Sequence, residues 1–164
     1  MVPLPDHSAA ELVATLTRQG SWLAVAESCT GGLLAAAITG VAGASACFFG
    51  GVVSYANDAK ARWLGVDPAL IAAHGAVSGE VAEAMVAGLL ATTPAALAGA
   101  ITGIAGPGGG SREKPVGLVY IAIGDGRGVE VHRCHFAGDR GAVRGATVCQ
   151  ALALLRERAT GGGR

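Results

Sequence analysis

From Trp22 to Ile38 the chain runs through three kinds of sequence. Trp22-Leu23-Ala24-Val25-Ala26 is apolar and of strand length. Glu27-Ser28-Cys29-Thr30-Gly31-Gly32 is small and polar. Leu33-Leu34-Ala35-Ala36-Ala37-Ile38 is apolar and rich in helix formers. A strand that turns sharply into a helix exposes side chains at its carboxyl end and directs free backbone N–H groups there. Such a turn belongs to an α/β layered fold and is where open sheets of that kind bind ligands. Ser28 stands at this point, as a helix cap or as a nucleophile beside ready-made donors.

The remaining segments fit the same architecture. Ser8, with Glu11 three residues on, reads as the capping box of a helix over 9–18. Strands are expected at 48–55, 98–102, 116–123 and 129–136, the last two joined at Gly124-Asp125-Gly126. Asn57 reads as the cap of a helix over 58–64. Helices follow at 69–73, at 79–91 capped by Ser78, and at 141–158. Alternating helices and strands followed by a hairpin predict a single α/β domain with a mixed sheet, over residues 1–160. Gly161-Gly162-Gly163-Arg164 reads as a disordered tail.

Composition narrows the function. Twelve basic residues balance twelve acidic ones and form no basic stripe, which argues against nucleic acid as a partner. The neutral surface favours a homo-oligomer. The most apolar window, 84–101, is broken by Thr92-Thr93-Pro94 and reads as a helix, turn and strand rather than a membrane span. Cys29, Cys47, Cys134 and Cys149 form no C-x-x-C pair and no secretory leader is evident, so the expectation is a cytoplasmic protein with free thiols.

A serine nucleophile needs a base within hydrogen-bond reach. Lys60 is one of only two lysines, the other being Lys114, and it falls in the first turn of a short helix. The helix dipole there disfavours an ammonium ion, so Lys60 reads as a surface lysine or as an amine of lowered pKa. Thr102-Gly103-Ile104-Ala105-Gly106-Pro107-Gly108-Gly109-Gly110-Ser111 follows an apolar strand and reads as a flexible turn or as a nest for an anion. Arg140 and Arg144 share one helix face near an N-terminus, which a carboxylate or an anionic ligand would explain. Cys29 is a rival nucleophile with no evident histidine. His132, Cys134 and His135 resemble a metal set, but strand alternation puts His135 on the opposite face from the other two.

Taken together, these blocks resemble the CinA C-terminal domain family, the nicotinamide-nucleotide amidohydrolases. The resemblance rests on Ala26 to Gly32, on Tyr55 with Asn57 and Lys60, on His74-Gly75-Ala76-Val77-Ser78, and on Thr102 to Pro107. It continues through Lys114-Pro115-Val116-Gly117 and Gly138-Asp139-Arg140 with Arg144. It implies a three-layer α/β/α sandwich that hydrolyses the carboxamide of nicotinamide mononucleotide, without a metal or other cofactor, in pyridine nucleotide recycling. It implies Ser28 and Lys60 as a catalytic pair, with Tyr55 as a further catalytic residue. The N–H groups of Cys29, Thr30, Gly31 and Gly32 would then serve an oxyanion. Ser45, His74, Thr102, Gly103, Gly106, Gly108 and Arg144 would bind substrate. Two departures stand out: Ala44-Ser45 occupies the place of a usual Gly-Ser-Ser, and Leu118 that of a common Thr. The rivals are a non-catalytic mononucleotide-binding or regulatory module and an amidase for another small amide.

Overall fold

The computed structural model describes residues 6–161, so the expectation for the last residues, 162–164, lies outside them. The chain runs α1 (Asp6–Gln19), β1 (Leu23–Glu27), α2 (Leu33–Thr39), β2 (Phe48–Val53), α3 (Asn57–Leu64), α4 (Pro68–His74), α5 (Gly79–Thr92), β3 (Leu97–Gly103), β4 (Leu118–Asp125), β5 (Gly128–His135) and α6 (Arg140–Ala159). A single 3-10 turn, Ala44–Ala46, precedes β2. Five strands form one sheet in the order β2-β1-β3-β4-β5. β1 is parallel to both its neighbours, while β3, β4 and β5 run antiparallel in sequence, so the sheet is mixed as expected.

Alternation along β1 divides the interior. Leu23 and Val25 point into a core with α1, α2 and α6, where Leu12, Leu16, Ile38, Val148 and Leu152 are buried. Ala24 and Ala26 point the other way, against Met85, Val86 and Leu64 from α5 and α3. The result is the three-layer sandwich the motifs imply. Small residues on β1 and β3 let α5 approach the sheet closely. That closeness extends to α3: a Cβ on Gly88 would lie 1.9 Å from the carbonyl oxygen of Leu64, so α5 seats α3 through this glycine.

Several local expectations change. α1 begins at Asp6, so Ser8 lies inside the helix rather than capping it, and Glu11 pairs with Arg156 of α6 instead of closing a capping box. Asn57 is the first residue of α3 and Ala56 is its cap. Asp67, Ser78 and Asp139 do accept from the first turns of α4, α5 and α6. No described helix is long and apolar enough to cross a membrane.

Because α3 carries Lys60, its seat on Gly88 matters beyond packing. Gly88→Ala should destabilise the protein by about 2 kcal/mol through overpacking, read as a lowered urea midpoint.

Candidate active site

The parallel strands β1 and β3 end on the same side of the sheet, and the first residues beyond them meet there. Ser28 N–H donates to Ile101 O at 3.1 Å, tying the end of β1 to β3. Above this point lies a cavity of ≈ 280 Å³ lined by Ser28, Cys29, Tyr55, Lys60 and Thr102, by the glycine loop after β3, and by Arg140.

Glu27 shapes the turn. Its carboxylate is buried and accepts from the N–H groups of Gly32 at 3.1 Å, Leu34 at 3.0 Å and Ala35 at 2.8 Å. These are orphan donors of the first turn of α2, and a carboxylate is the group the helix dipole favours there. Gly31 N–H is also engaged, by Ser28 O at 3.0 Å. Gly31 and Gly32, at φ 59° and 97°, therefore serve the turn's geometry and hold no free donor for an oxyanion. The N–H groups of Cys29 and Thr30 meet no backbone acceptor among the described residues. Ser28 does not cap α2, because Glu27 and the glycines perform that task.

Lys60 is only 1% exposed, and three oxygens surround its amine: Ser54 O at 2.7 Å, Ser28 Oγ at 3.1 Å and Tyr55 O at 3.2 Å. All three are uncharged. Burying an ammonium ion without an anionic partner costs several kcal/mol, so burial drives the Lys60 pKa down. A thiolate at Cys29 would oppose that shift. Burial, however, pushes the Cys29 thiol up to about 11, with the Glu27 charge adding to the rise, so near pH 7 Cys29 stays protonated. A neutral amine has two N–H groups and one lone pair. If Ser54 O and Tyr55 O take the two N–H groups, the lone pair faces the Ser28 hydroxyl. This is the disposition a general base requires. The raised thiol pKa disfavours Cys29 as a rival nucleophile at neutral pH.

Tyr55 joins both sides of the cavity. Its carbonyl accepts from Lys60, and its phenol accepts from Arg140 Nη2 at 2.8 Å. Arg140 Nη1 also donates to Gly106 O at 2.9 Å. Thr102 lies buried at the end of β3, its Oγ1 donating to Ala76 O at 2.8 Å. Gly103, Gly106 and Gly108 line the cavity. A Cβ on Gly103 would meet Val119 Cγ2 at 2.7 Å, and one on Gly106 would meet Val116 Cγ1 at 2.5 Å, so close packing against β4 and its approach fixes both as glycine.

Three expected residues stand elsewhere. Ser45 is exposed on the 3-10 turn before β2, and since β2 runs parallel to β1, that turn lies at the far end of the sheet from Ser28. His74 ends α4 with its imidazole 3.5 Å from Glu80, outside the cavity wall, and its carbonyl accepts from Lys114. Arg144 lies one helical turn beyond Arg140 and donates to Thr30 O at 2.9 Å, so it braces the turn from behind. Sequence reasoning assigned no role to Glu27 or to the Ser54 carbonyl. An acid directly before a helix start is a usable signal for the first. A main-chain oxygen leaves none for the second. No group of three or more His, Cys, Asp or Glu side chains that could hold a metal gathers among the described residues. His132 and Cys134 do fall on one face of β5, with His135 on the other.

Residues 6–159 match the family model described as the CinA C-terminal domain. A CinA-like protein of Geobacter sulfurreducens is 54% identical over 154 residues, which cover 93% of this chain and 37% of that protein. A putative competence-damage inducible protein of Moorella thermoacetica is 53% identical over 143 residues, 87% of this chain and 34% of that one. The chain thus spans little more than a third of the length of these relatives. Among solved structures, the competence/damage inducible protein CihA of Agrobacterium tumefaciens superposes with a TM-score of 0.91 at 44% identity, over 94% of this chain and 97% of that one. A competence-damaged protein superfamily member from Klebsiella pneumoniae gives 0.91 at 36% identity, over 95% and 98%.

Two outcomes test the local account. Glu27→Ala should lower stability by about 3 kcal/mol in urea unfolding, because buried N–H groups lose a charged acceptor. At pH 8, a thiol reagent should modify the exposed Cys149 rapidly and leave Cys29 unreacted in the folded protein, as read by peptide mass.

Proposed function

The chain belongs to the CinA C-terminal domain family, and on that footing we propose that it is an amidohydrolase of nicotinamide mononucleotide working through Ser28 and Lys60. The observation that carries this reading is the 3.1 Å approach of a buried, uncharged-partnered Lys60 amine to Ser28 Oγ at the mouth of the cavity.

In the proposed reaction, Ser28 Oγ attacks the carboxamide carbon while neutral Lys60 takes its proton. The carbonyl oxygen becomes an oxyanion, for which the unengaged N–H groups of Cys29 and Thr30 are the candidate donors. As the intermediate collapses, the C–N bond breaks and Lys60 returns the proton to the departing nitrogen, releasing ammonia. An ester on Ser28 remains. Water then attacks the ester carbon, with Lys60 accepting its proton and passing it to the Ser28 oxygen, which leaves a carboxylate product. Tyr55 holds Lys60 through its carbonyl and takes no proton in this scheme. The product would be nicotinic acid mononucleotide, formed with no cofactor.

Ammonia release from nicotinamide mononucleotide tests the reading. Ser28→Ala and Lys60→Met should each lower kcat by about a thousandfold or more. Undiminished activity in either variant would contradict the pair. The pH dependence has a definite sign. Below the Lys60 pKa the amine is an ammonium ion and accepts no proton, so kcat/KM should rise with pH through a limb below the ordinary lysine range.

A further inference from the structure

We propose that a second copy of this chain docks along the free edge of β2, joining two five-stranded sheets into one across a two-fold axis. The inference concerns assembly and does not depend on the proposed reaction.

β2 and β5 are the end strands of the sheet, and each has one long side with no strand paired to it. Such an edge is a template for pairing with another chain, and soluble proteins blunt it with charge, proline or a cover. β5 is blunted: Glu130, His132, Arg133 and His135 lie along it. β2 is not. It reads Phe48-Phe49-Gly50-Gly51-Val52-Val53, with no charged residue and no proline, and its residues alternate between half-buried and exposed. The register shift against β1 falls before Gly50, so Gly50 to Val53 remain a regular edge.

Exposed apolar side chains gather on the same flank. Six large ones are exposed among the described residues. Trp22 directly precedes β1, Phe49 and Val53 lie on β2, and Tyr55 and Trp63 lie on the chain that follows β2 into α3; only Val131 is on β5. Trp22 and Phe49 meet edge to face, with ring centroids 6.1 Å apart. Lys60 holds α3 beside the end of β2 through its bond to Ser54 O. A concentration of apolar surface of this kind marks an association site.

The strand selects its occupant. Without charge it offers nothing to recognise an acidic or a basic partner, yet it is complementary to itself. Antiparallel pairing about the two glycines brings Phe49 of each copy towards the partner's Val53, and an aromatic against a β-branched side chain is a favourable cross-strand pair. A six-residue strand is about 20 Å long and three layers spaced about 10 Å apart stand along it, so the face covered on each copy is roughly 600 Å². The total of about 1,200 Å² clears what a specific interface needs. Two-fold pairing consumes β2 of both copies and leaves only the charged β5 edges outside, so assembly stops at two instead of growing. β2 continues directly into Ser54 and Tyr55, whose carbonyls hold Lys60, so the interface borders the cavity wall.

Sedimentation equilibrium of the full chain tests this, with far-UV circular dichroism to confirm that each variant is folded. The unmutated chain should sediment as a dimer. Phe49→Lys and Trp22→Lys should each raise the dimer Kd by about tenfold or more. Val131→Lys, at a residue as exposed as Trp22 (each 37%) but on the other edge, should leave it unchanged. Amide exchange at Gly50 to Val53 should slow as the concentration of the unmutated chain rises. A chain that sediments as a monomer throughout would overturn the proposal, as would an assembly larger than two. So would a folded Phe49→Lys that dimerises as tightly as the unmutated chain, or loss of the dimer in Val131→Lys. Should the lysine variants at Phe49 and Trp22 not fold, the exchange data decide, and rates at Gly50 to Val53 that ignore concentration would refute pairing along β2.

Discussion

The site depends on a lysine amine held out of water with no anion to hold it. Lys60 reaches from α3 under the end of β2, where two main-chain carbonyls and one hydroxyl receive it. Carbonyl dipoles satisfy the N–H groups but do not balance a full charge. The fold therefore disfavours the charged form and lowers the amine's pKa, which is the direction the proposed base role requires. A carboxylate in place of either carbonyl would hold the proton on the amine. The same packing that lowers the pKa also fixes the amine's position, because Leu64 and Gly88 lock α3 against α5.

The turn between β1 and α2 obeys a second constraint. A helix start offers several donors, and the turn proposed to be catalytic must leave some of them free. Here Glu27 takes those of Gly32, Leu34 and Ala35, and the Ser28 carbonyl takes that of Gly31. Only the donors nearest the serine are left open. Arg144 fastens the Thr30 carbonyl from behind, so the turn is gripped at both ends. In the proposed reaction stability and chemistry thus draw on the same few peptide groups, and most of them are committed to stability.

Much of this was legible in the sequence. The strand–turn–helix pattern located Ser28. The short helix after β2 located Lys60. The glycine run after β3 located the loop. Each is a local signal, since it depends on residue types within one or two turns. The residues that the structure places away from the cavity share a cause as well. Ser45 and His74 depend on which end of the sheet a loop occupies and on which neighbour captures a side chain, and neither is a local property. Arg140 and Arg144 are chemically alike and four residues apart, so only where α6 starts relative to the cavity separates the one that reaches Gly106 from the one that reaches Thr30. Ser8 read well as a cap because nothing in its neighbours revealed that Asp6 already begins the helix. The role of Ser54 rests on a carbonyl, which every residue has.

The most direct measurement is the titration of Lys60 itself. With only two lysines in the chain, NMR of protein labelled at lysine Cε gives two signals, and Lys60→Met identifies the relevant one. The Lys60 signal should titrate with a midpoint below the ordinary lysine range, near 10.4 in model peptides. A midpoint inside that range would mean the buried amine is charged at neutral pH, and the account of Ser28 activation would be wrong.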